Sequence, residues 1–350
     1  MEPWHIRMAE GRHLPDALLR RAIALRVGVR LRREGRGSVE QQSERFRDLV
    51  RRLRAGEVAV DQDAANAQHY EVPAELFALV LGPRLKYSCC WFPPGVDDLA
   101  TAEELMLERY LVRARLADGQ DVLDLGCGWG SLSLWLAERH PASRITAVSN
   151  SATQRAFIEA RAAERGIANL AVVTADVARY APAGRFDRIV SVEMLEHVKN
   201  QAALLARAAR WLRPDGLMFV HVFSHRTLAF EFSSAARSDW IGRNFFTGGT
   251  MPSDDLLLHM ADDLVPVDHW RLDGTHYERT ALAWAHNLER RREQVMPVLA
   301  SAYGAGQAAR WFQRWRIFFL ACAGLWGYRG GREFIVSHYL LRPRAGLGAG

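Results

Sequence analysis

The stretch DVLDLGCGWG, residues 121–130, constrains this chain more than any other. Its first five residues are mostly apolar and predict a short buried strand of a parallel sheet. Three glycines then follow at alternate positions, Gly126, Gly128 and Gly130, before a helical pattern over 131–140. A strand, a tight glycine turn and a helix are therefore predicted, with the turn free of Cβ atoms where a ligand would approach.

The spacing of these glycines restricts the ligand. Ser131 stands where a nicotinamide or flavin fingerprint would place its third glycine, and the chain has no GxxxxGK[ST] phosphate loop. Asp124 lies two residues before the first glycine, where its carboxylate could hold an ammonium group. The pattern favours an S-adenosylmethionine site, and the alternative is an ordinary strand-to-helix turn without a ligand.

Composition indicates a globular protein with reduced cysteines. Hydrophobic residues make up 49% and charged residues 25% of the 350 positions, which is ordinary for a folded chain. The four cysteines have no CxxC spacing and no secretory signal precedes them, so we expect thiols and a cytoplasmic location. The longest apolar run, at 317–328, is too short to span a bilayer and predicts a core helix or a pocket wall.

From residue 121 onward, strand and helix patterns alternate. This alternation predicts an α/β fold: a doubly wound, mostly parallel sheet with helices on both faces. Five parallel strands are predicted at 121–125, 144–148, 170–175, 186–192 and 217–223, and helices at 130–140, 151–165 and 200–212. A closing pair of strands near 265–272 and 332–341 brings the sheet to seven strands.

The flanking segments suggest a division of the chain. Residues 1–65 form a basic helical region with helices near 14–33 and 40–54, and residues 1–54 carry fourteen arginines against seven acidic residues. Such helices lie on anionic membranes or pack on their own domain with solvated arginines, and both alternatives stay open.

Residues 66–343 then form the catalytic domain, and 344–350 a disordered tail. The segment 66–92 is expected across the mouth of the cofactor site, and 224–264 is expected as an insertion that caps the acceptor site. A helix over 101–117 leads into the first strand.

The loops at the carboxyl ends of the parallel strands should build the site. After the second strand, the usual ribose-binding acid is missing, and Ser149, Asn150 and Gln154 are the available substitutes. After the third strand, Asp176 is placed to accept a hydrogen bond from an adenine amino group.

The loop after the fourth strand supplies the chemistry of a base. Glu193, Glu196 and His197 fall within five residues, and repulsion between two carboxylates raises one pKa towards neutrality. Each of them could instead cap the next helix. His221, at the end of the fifth strand, is either a further functional group or a hydrogen-bonded core histidine. A metal site is disfavoured because the ExxEH pattern lacks paired histidines and a third ligand.

Several aromatic side chains could stabilise a cation through their ring faces, although each could equally be core packing. They are Trp240, Phe245, Phe246, Tyr277 and Trp284.

At this point the chain resembles the cyclopropane-fatty-acyl-phospholipid synthase superfamily of class I methyltransferases, and within it the coclaurine N-methyltransferase branch. The resemblance rests on five blocks in order: QHYEVP (68–73), LGPRLKYSCCWF (81–92), VLDLGCGWGS (122–131), SVEMLEHVKN (191–200) and FFTGGTMPS (245–253). It implies a Rossmann-like class I methyltransferase fold.

The resemblance also implies residue roles. Tyr87 and Ser88, with Gly126 and Gly128, would contact S-adenosylmethionine, and Gln154 would reach its ribose. A bicarbonate base, as in the synthases, would map to four residues that are all present: Cys89, Glu196, His221 and Tyr277. In the N-methyltransferases, the pair corresponding to Glu196 and His197 is implicated in amine methylation.

Two functions therefore compete at the same residues. The first is methyl transfer to a small amine or related apolar metabolite, and the second is modification of unsaturated acyl chains at a membrane surface. A non-catalytic binding module is a third alternative. A nucleic-acid methylase is disfavoured, because no asparagine-proline-proline-aromatic motif follows the fourth strand. The oligomeric state stays open, with a homodimer among the alternatives.

Overall fold

The centre of the molecule is a seven-stranded sheet in the order β3-β2-β1-β4-β5-β9-β8. The computed structural model describes residues 8, 10, 11, 15–58, 73–232, 240–246 and 248–344. The strands are β1 Asp121–Leu125, β2 Arg144–Ser149, β3 Leu170–Thr174, β4 Phe186–Val192, β5 Leu212–His225, β6 Phe230–Glu231, β7 Thr250–Met251, β8 Leu264–Leu272 and β9 Phe334–Pro343. Strand β9 runs antiparallel to both of its neighbours, and the first five strands are parallel. The predicted doubly wound sheet is confirmed.

Helices surround this sheet. Those with defined bounds are α1 Asp16–Glu34, α2 Val39–Ala55, α3 Ala74–Val80, α4 Leu99–Ala114, α5 Ser131–Arg139, α6 Ala152–Glu164, α7 Gln201–Trp211, α8 Trp240–Asn244, α9 Thr275–Arg290, α10 Arg292–Tyr303 and α11 Ala308–Trp326. Several begin at a polar cap: Ser151 accepts a hydrogen bond from the Gln154 amide, and Asn200 from that of Ala203. These caps fix where α6 and α7 start, and thus where the loops after β2 and β4 end.

The strand order places the crevice of the sheet between β1 and β4. The chain moves outward from β1 to β2 and β3, then returns to β4 on the other side. The carboxyl ends of β1 and β4 therefore face a topological switch point, where ligands bind in open α/β sheets. The glycine turn and the loop that carries Glu193 meet there.

The N-terminal helix α1 packs against helix α11. On α1, Leu19 and Val27 are buried, and Asp16 forms an ion pair with Arg316 of α11. Three apolar side chains on the same helix remain more than half exposed: Leu18, Leu25 and Val29. Within the described ranges, no helix is long and apolar enough to cross a bilayer.

The predicted cap insertion takes the form of a short antiparallel ribbon, β6 with β7, and the helix α8. Lys199, which follows the fourth-strand loop, forms an ion pair with Glu231 of the ribbon. The fifth strand is longer than predicted and reaches His225, so the insertion begins later than residue 224. Residues 233–239 and 247 of the cap, 66–72 of the mouth segment and 345–350 of the predicted tail lie outside the described residues.

Candidate active site

The glycine turn forms the floor of a deep cavity at the switch point. Gly126, Gly128 and Gly130 all have positive φ, at 87°, 53° and 77°. A Cβ at Gly126 would lie 2.4 Å from Cγ of Met194, and one at Gly130 would lie 2.7 Å from Ile158, so these two glycines permit close packing. A Cβ at Gly128 would meet no atom within 4 Å, and this residue lines the cavity. Gly128 is therefore where a ligand can approach the backbone.

Asp124 lines the same cavity beneath the turn. Its side chain is buried and accepts a hydrogen bond from the Ser133 hydroxyl. Burial raises the pKa of Asp124 to about 6, although the Ser133 hydrogen bond opposes this. Nearby, the Ser131 hydroxyl is buried, lines the cavity and has no hydrogen-bond partner within the part of the chain that the structure describes. A polar ligand at this position would satisfy it.

The loop after β2 contributes the three polar residues that the sequence predicted for a ribose. Ser149, Asn150 and Gln154 all line the cavity. The Ser149 hydroxyl lies 2.6 Å from Oε1 of Gln154 and donates to it. Because that oxygen is engaged, the amide nitrogen of Gln154 is the group that can donate to a ligand hydroxyl.

Asp176 lies outside the lining of this cavity. Its Oδ1 accepts a hydrogen bond of 2.7 Å from the Ala178 amide, which caps the turn after β3. Its neighbours Ala175 and Val177 line the cavity instead. The adenine contact of Asp176 stays a prediction.

The segment before α4 closes one side of the cavity, as predicted for its described part. Lys86, Tyr87 and Ser88 line it in succession. The Lys86 ammonium is almost completely buried and donates to the Ser88 hydroxyl over 2.5 Å. The Tyr87 ring packs against Phe77 and Trp284, at centroid distances of 5.0 and 5.3 Å. Sequence reasoning missed Lys86, although a lysine within an aromatic block was a visible signal.

Glu193 lines the cavity, and it is the residue of the fourth-strand loop whose carboxylate has the most hydrogen bonds. Its backbone adopts a left-handed φ of 47°, which is uncommon for a residue with a side chain and is found at functional sites. Oε1 accepts from the Cys89 amide at 2.9 Å and lies 3.1 Å from Nε2 of His221. Oε2 accepts from the Tyr277 hydroxyl at 2.5 Å.

These contacts leave Glu193 ionised. Burial raises its pKa, but the hydrogen bond from His221, the charge of Lys86 and the Cys89 amide outweigh that effect, so its pKa is lowered. Burial and the adjacent carboxylate raise the pKa of Tyr277 well above its ordinary value, so this phenol stays a donor. Three of about four lone-pair positions on the carboxylate are filled, and one remains for a ligand.

Glu196 has a different environment. It is completely buried, does not line the cavity, and accepts from the Phe223 amide at 2.9 Å. Burial, together with the charge of Glu193, raises its pKa well above its ordinary value. Glu196 belongs to the one-turn helix over residues 195–197.

His197 lines the cavity and meets the cap. Its ring lies 4.6 Å from the Phe246 ring. Burial lowers the pKa of His197 to about 4, so the imidazole is neutral at physiological pH. A neutral imidazole beside an ionised carboxylate forms a proton-accepting corner of the cavity.

The remaining predicted residues support this corner. Cys89 and His221 do not line the cavity and act on it through Glu193, whereas Tyr277 lines it and stacks on Trp326 at 4.7 Å. Of the predicted aromatic group, Phe246, Tyr277 and Trp284 line the cavity. Phe245 stacks on Phe318 in the core, and Trp240 hydrogen-bonds Glu10, so these two are packing residues.

The acceptor end of the cavity is apolar. Its walls come from the cap ribbon and α8, from β5 and from α11, and the residues are Phe223, Phe232, Ile241, Phe246, Met251, Phe318, Leu325 and Trp326. Helix α11 thus serves both as core and as pocket wall, the two alternatives predicted for it. Within the described ranges, no group of three histidine, cysteine or acidic side chains could hold a metal ion.

The chain is similar in sequence to proteins of known family. Residues 59–329 match the family model described as mycolic acid cyclopropane synthetase. An (S)-coclaurine N-methyltransferase from Thalictrum flavum subsp. glaucum is 35% identical over 95% of this chain and 93% of its own. The cyclopropane-fatty-acyl-phospholipid synthase of Escherichia coli K12 is 28% identical over 72% of this chain and 66% of its own.

A solved structure shares both the fold and the chain length. It is a coclaurine N-methyltransferase bound to N-methylheliamine and SAH, with a TM-score of 0.92 and 33% identity, covering 96% of this chain and 98% of that one. The likeness extends over the N-terminal helices as well as the sheet.

Proposed function

The chain belongs to the mycolic acid cyclopropane synthetase family and is an S-adenosylmethionine-dependent methyltransferase, and we propose that it methylates the nitrogen of a small, largely apolar amine. The observation that carries this proposal is Glu193. It places a carboxylate with a lowered pKa in the lining of a cavity that also contains the glycine turn and a set of aromatic side chains. A nitrogen with an N–H is the group such a site recognises, because it donates to the carboxylate and gains positive charge as it is methylated.

The donor site is assigned to the residues around the turn. Bound S-adenosylmethionine supplies an electrophilic methyl group. Gly128 gives room for it, and Asp124, Ser131 and Gln154 offer polar partners. Asp124 remains the group assigned to the ammonium of the donor, as predicted from the sequence.

The acceptor site is assigned to the corner formed by Glu193 and His197. Glu193 accepts the N–H of the amine, turns the nitrogen lone pair towards the donor and takes the proton that the product loses. The aromatic walls exclude water, which keeps the nitrogen desolvated and the charge interaction strong. The Thalictrum relative and the solved structure that match nearly the whole chain are both named coclaurine N-methyltransferase, which supports nitrogen over carbon as the acceptor.

The chemical class of the methyl acceptor can be tested by measuring which compound gains the labelled methyl group. Purified protein with methyl-labelled S-adenosylmethionine is given tetrahydroisoquinoline, its oxygen isostere isochroman, or vesicles of unsaturated phospholipid. We expect label in the amine and in neither of the others, because only the amine can donate to Glu193 and lose a proton. Label confined to the vesicles would instead establish the acyl-chain function.

The proposed reaction does not use bicarbonate as the base. Of the four residues that the resemblance assigned to it, Cys89, His221 and Tyr277 donate to the Glu193 carboxylate, and Glu196 faces the Phe223 amide. A second anion at those donors would compete with a fixed negative charge in a buried site.

We therefore expect equal methylation rates in carbonate-free buffer and in buffer with added bicarbonate at the same pH and ionic strength. Initial rates in a closed, degassed cell measure this. Activation that saturates with bicarbonate and needs Tyr277 would contradict the assignment.

Membrane contact through the N-terminal helices stays a prediction, as does a cytoplasmic location. The exposed Leu18, Leu25 and Val29 on an arginine-rich helix support such contact, and the packing of the same helix on α11 supports a purely structural role. Co-sedimentation of the intact protein with anionic vesicles distinguishes the two.

A further inference from the structure

A series of hydrogen-bonded side chains leads from Glu193, away from the cavity, into the sheet. Nε2 of His221 lies 3.1 Å from Oε1 of Glu193, and Nδ1 of His221 lies 2.8 Å from Nε2 of His338. Nδ1 of His338 in turn lies 2.7 Å from Nη1 of Arg113 on α4. Both histidines are buried, on the adjacent strands β5 and β9.

The guanidinium of Arg113 determines which atom donates and which accepts in each hydrogen bond of this series. Arginine only donates hydrogen bonds, so Nδ1 of His338 must accept and its proton must sit on Nε2. That Nε2–H donates to Nδ1 of His221, which is therefore an acceptor and leaves the proton of His221 on its own Nε2. His221 consequently presents an N–H to Glu193.

Both rings stay neutral, as this arrangement requires. Burial lowers the pKa of His221 to about 4, although Glu193 opposes this, and burial lowers the pKa of His338 well below its ordinary value. Burial and the charge of Arg109 lower the pKa of Arg113 to about 10, which still leaves it protonated at neutral pH. Each link is therefore a hydrogen bond between groups with a fixed donor and acceptor.

The Tyr110 hydroxyl also lies 2.8 Å from Nδ1 of His221. With the proton of His221 on Nε2, the Tyr110 hydroxyl can only donate to Nδ1, where it shares the single lone pair with the N–H of His338; with the proton on Nδ1 it would accept, so the hydroxyl by itself sets no direction. Arg113 can only donate, so it is the residue that permits a single arrangement of donors and acceptors in this series.

We propose that Arg113 and His338 are positioning residues that fix the Nε2–H tautomer of His221 and thereby hold the Glu193 carboxylate ready for the acceptor. This rests on the role of Glu193 in the proposed function, but the tautomers exist without any acceptor. In the other tautomer, His221 would turn a lone pair towards Glu193, and the carboxylate would lose a donor and rotate or take up a proton.

The test replaces the Arg113 guanidinium and measures which ring nitrogen of His221 and of His338 carries the proton. Arg113→Met removes the donor, and Arg113→Lys restores a donor with a charge. Arg109→Met is the matched control: it removes a cation on the same helix that stacks on Trp91 at 3.4 Å and, among the described residues, makes no hydrogen bond to His221 or His338. Nitrogen-15 NMR of protein labelled at histidine reports the tautomer of each ring.

We expect Nε2–H tautomers for His221 and His338 in the wild type and in Arg109→Met, mixed tautomers in Arg113→Met, and recovery in Arg113→Lys. With tetrahydroisoquinoline, kcat of Arg113→Met should fall roughly ten- to a hundredfold, the range seen when an outer partner of a functional side chain is lost, with little change in KM for S-adenosylmethionine.

Unchanged histidine tautomers in Arg113→Met would overturn the inference, even if Glu193 proves essential. If Arg113→Met does not fold, a wild-type spectrum with His338 protonated on Nδ1 overturns it equally. If no amine is methylated, the proposed function fails, and the NMR result still decides the role of Arg113.

Discussion

Replacement of Glu193 by glutamine is expected to lower kcat for amine methylation by roughly 10²- to 10⁴-fold, the contribution typical of a positioned general base. Glutamine keeps the shape of the side chain but can neither take the proton nor offset the positive charge that forms on nitrogen. Affinity for S-adenosylhomocysteine should change little, because Glu193 belongs to the acceptor end of the cavity. Steady-state kinetics with calorimetric titration of S-adenosylhomocysteine measures both quantities.

Glu196→Gln is the matched control for that variant. Glu196 is buried and does not line the cavity, and glutamine matches it in size. We expect kcat within a fewfold of wild type. If Glu196→Gln were as inactive as Glu193→Gln, or the only inactive variant of the two, the base would be Glu196, and the assignment made from this geometry would be wrong.

The second large effect is expected at Gly128. Leucine at this position would place its side chain in the space above the turn, where a Cβ meets no protein atom within 4 Å. Overpacking of this kind costs about 1–3 kcal/mol, so affinity for S-adenosylhomocysteine should fall roughly ten- to a hundredfold. Titration calorimetry gives the affinity, and thermal unfolding gives the accompanying loss of stability.

Gly166→Leu separates the two effects. Gly166 also has a positive φ, 65°, and equally open surroundings, but it lies after α6 and does not line the cavity. Both variants bear the strain of a left-handed backbone, about 1–2 kcal/mol. Equal affinity losses in the two variants would mean that strain, and not occlusion of the cavity, explains the result at Gly128.

The sheet could be predicted because its signals are local. The apolar run before Gly126, the alternation of strand and helix patterns and the polar caps at Ser151 and Asn200 each act within a few residues. The carboxyl ends of parallel strands converge by geometry, so the loops that line the cavity followed from the strand order. Gln154 and Tyr87 were found in this way or through the resemblance.

The sequence interpretation took Glu196 as the base, and the geometry leads us to propose Glu193 instead. The two residues are three apart, and their directions depend on the left-handed backbone at Glu193 and on the one-turn helix that follows. That conformation is stabilised by distant partners, since Cys89 precedes Glu193 by 104 positions and Tyr277 follows it by 84. No local pattern encodes such pairings.

The contacts of His338 and Asp176 likewise could not be predicted from a local sequence pattern. His338 stands in an apolar strand pattern, which was a visible signal, but its partner Arg113 is 225 residues away. Asp176 follows its strand as expected, yet it caps its own turn through the Ala178 amide and leaves its apolar neighbours at the cavity. Local hydrogen bonding of an aspartate competes with ligand binding, and sequence alone does not show which prevails.

A crystal structure with S-adenosylhomocysteine and tetrahydroisoquinoline bound together tests the central claim most directly. The account predicts the adenosyl ligand over Gly128, with the amine nitrogen within hydrogen-bonding distance of Glu193 and between it and the sulfur. An amine nitrogen beside Glu196, or one out of reach of Glu193 with the sulfur still above the glycine turn, would contradict it.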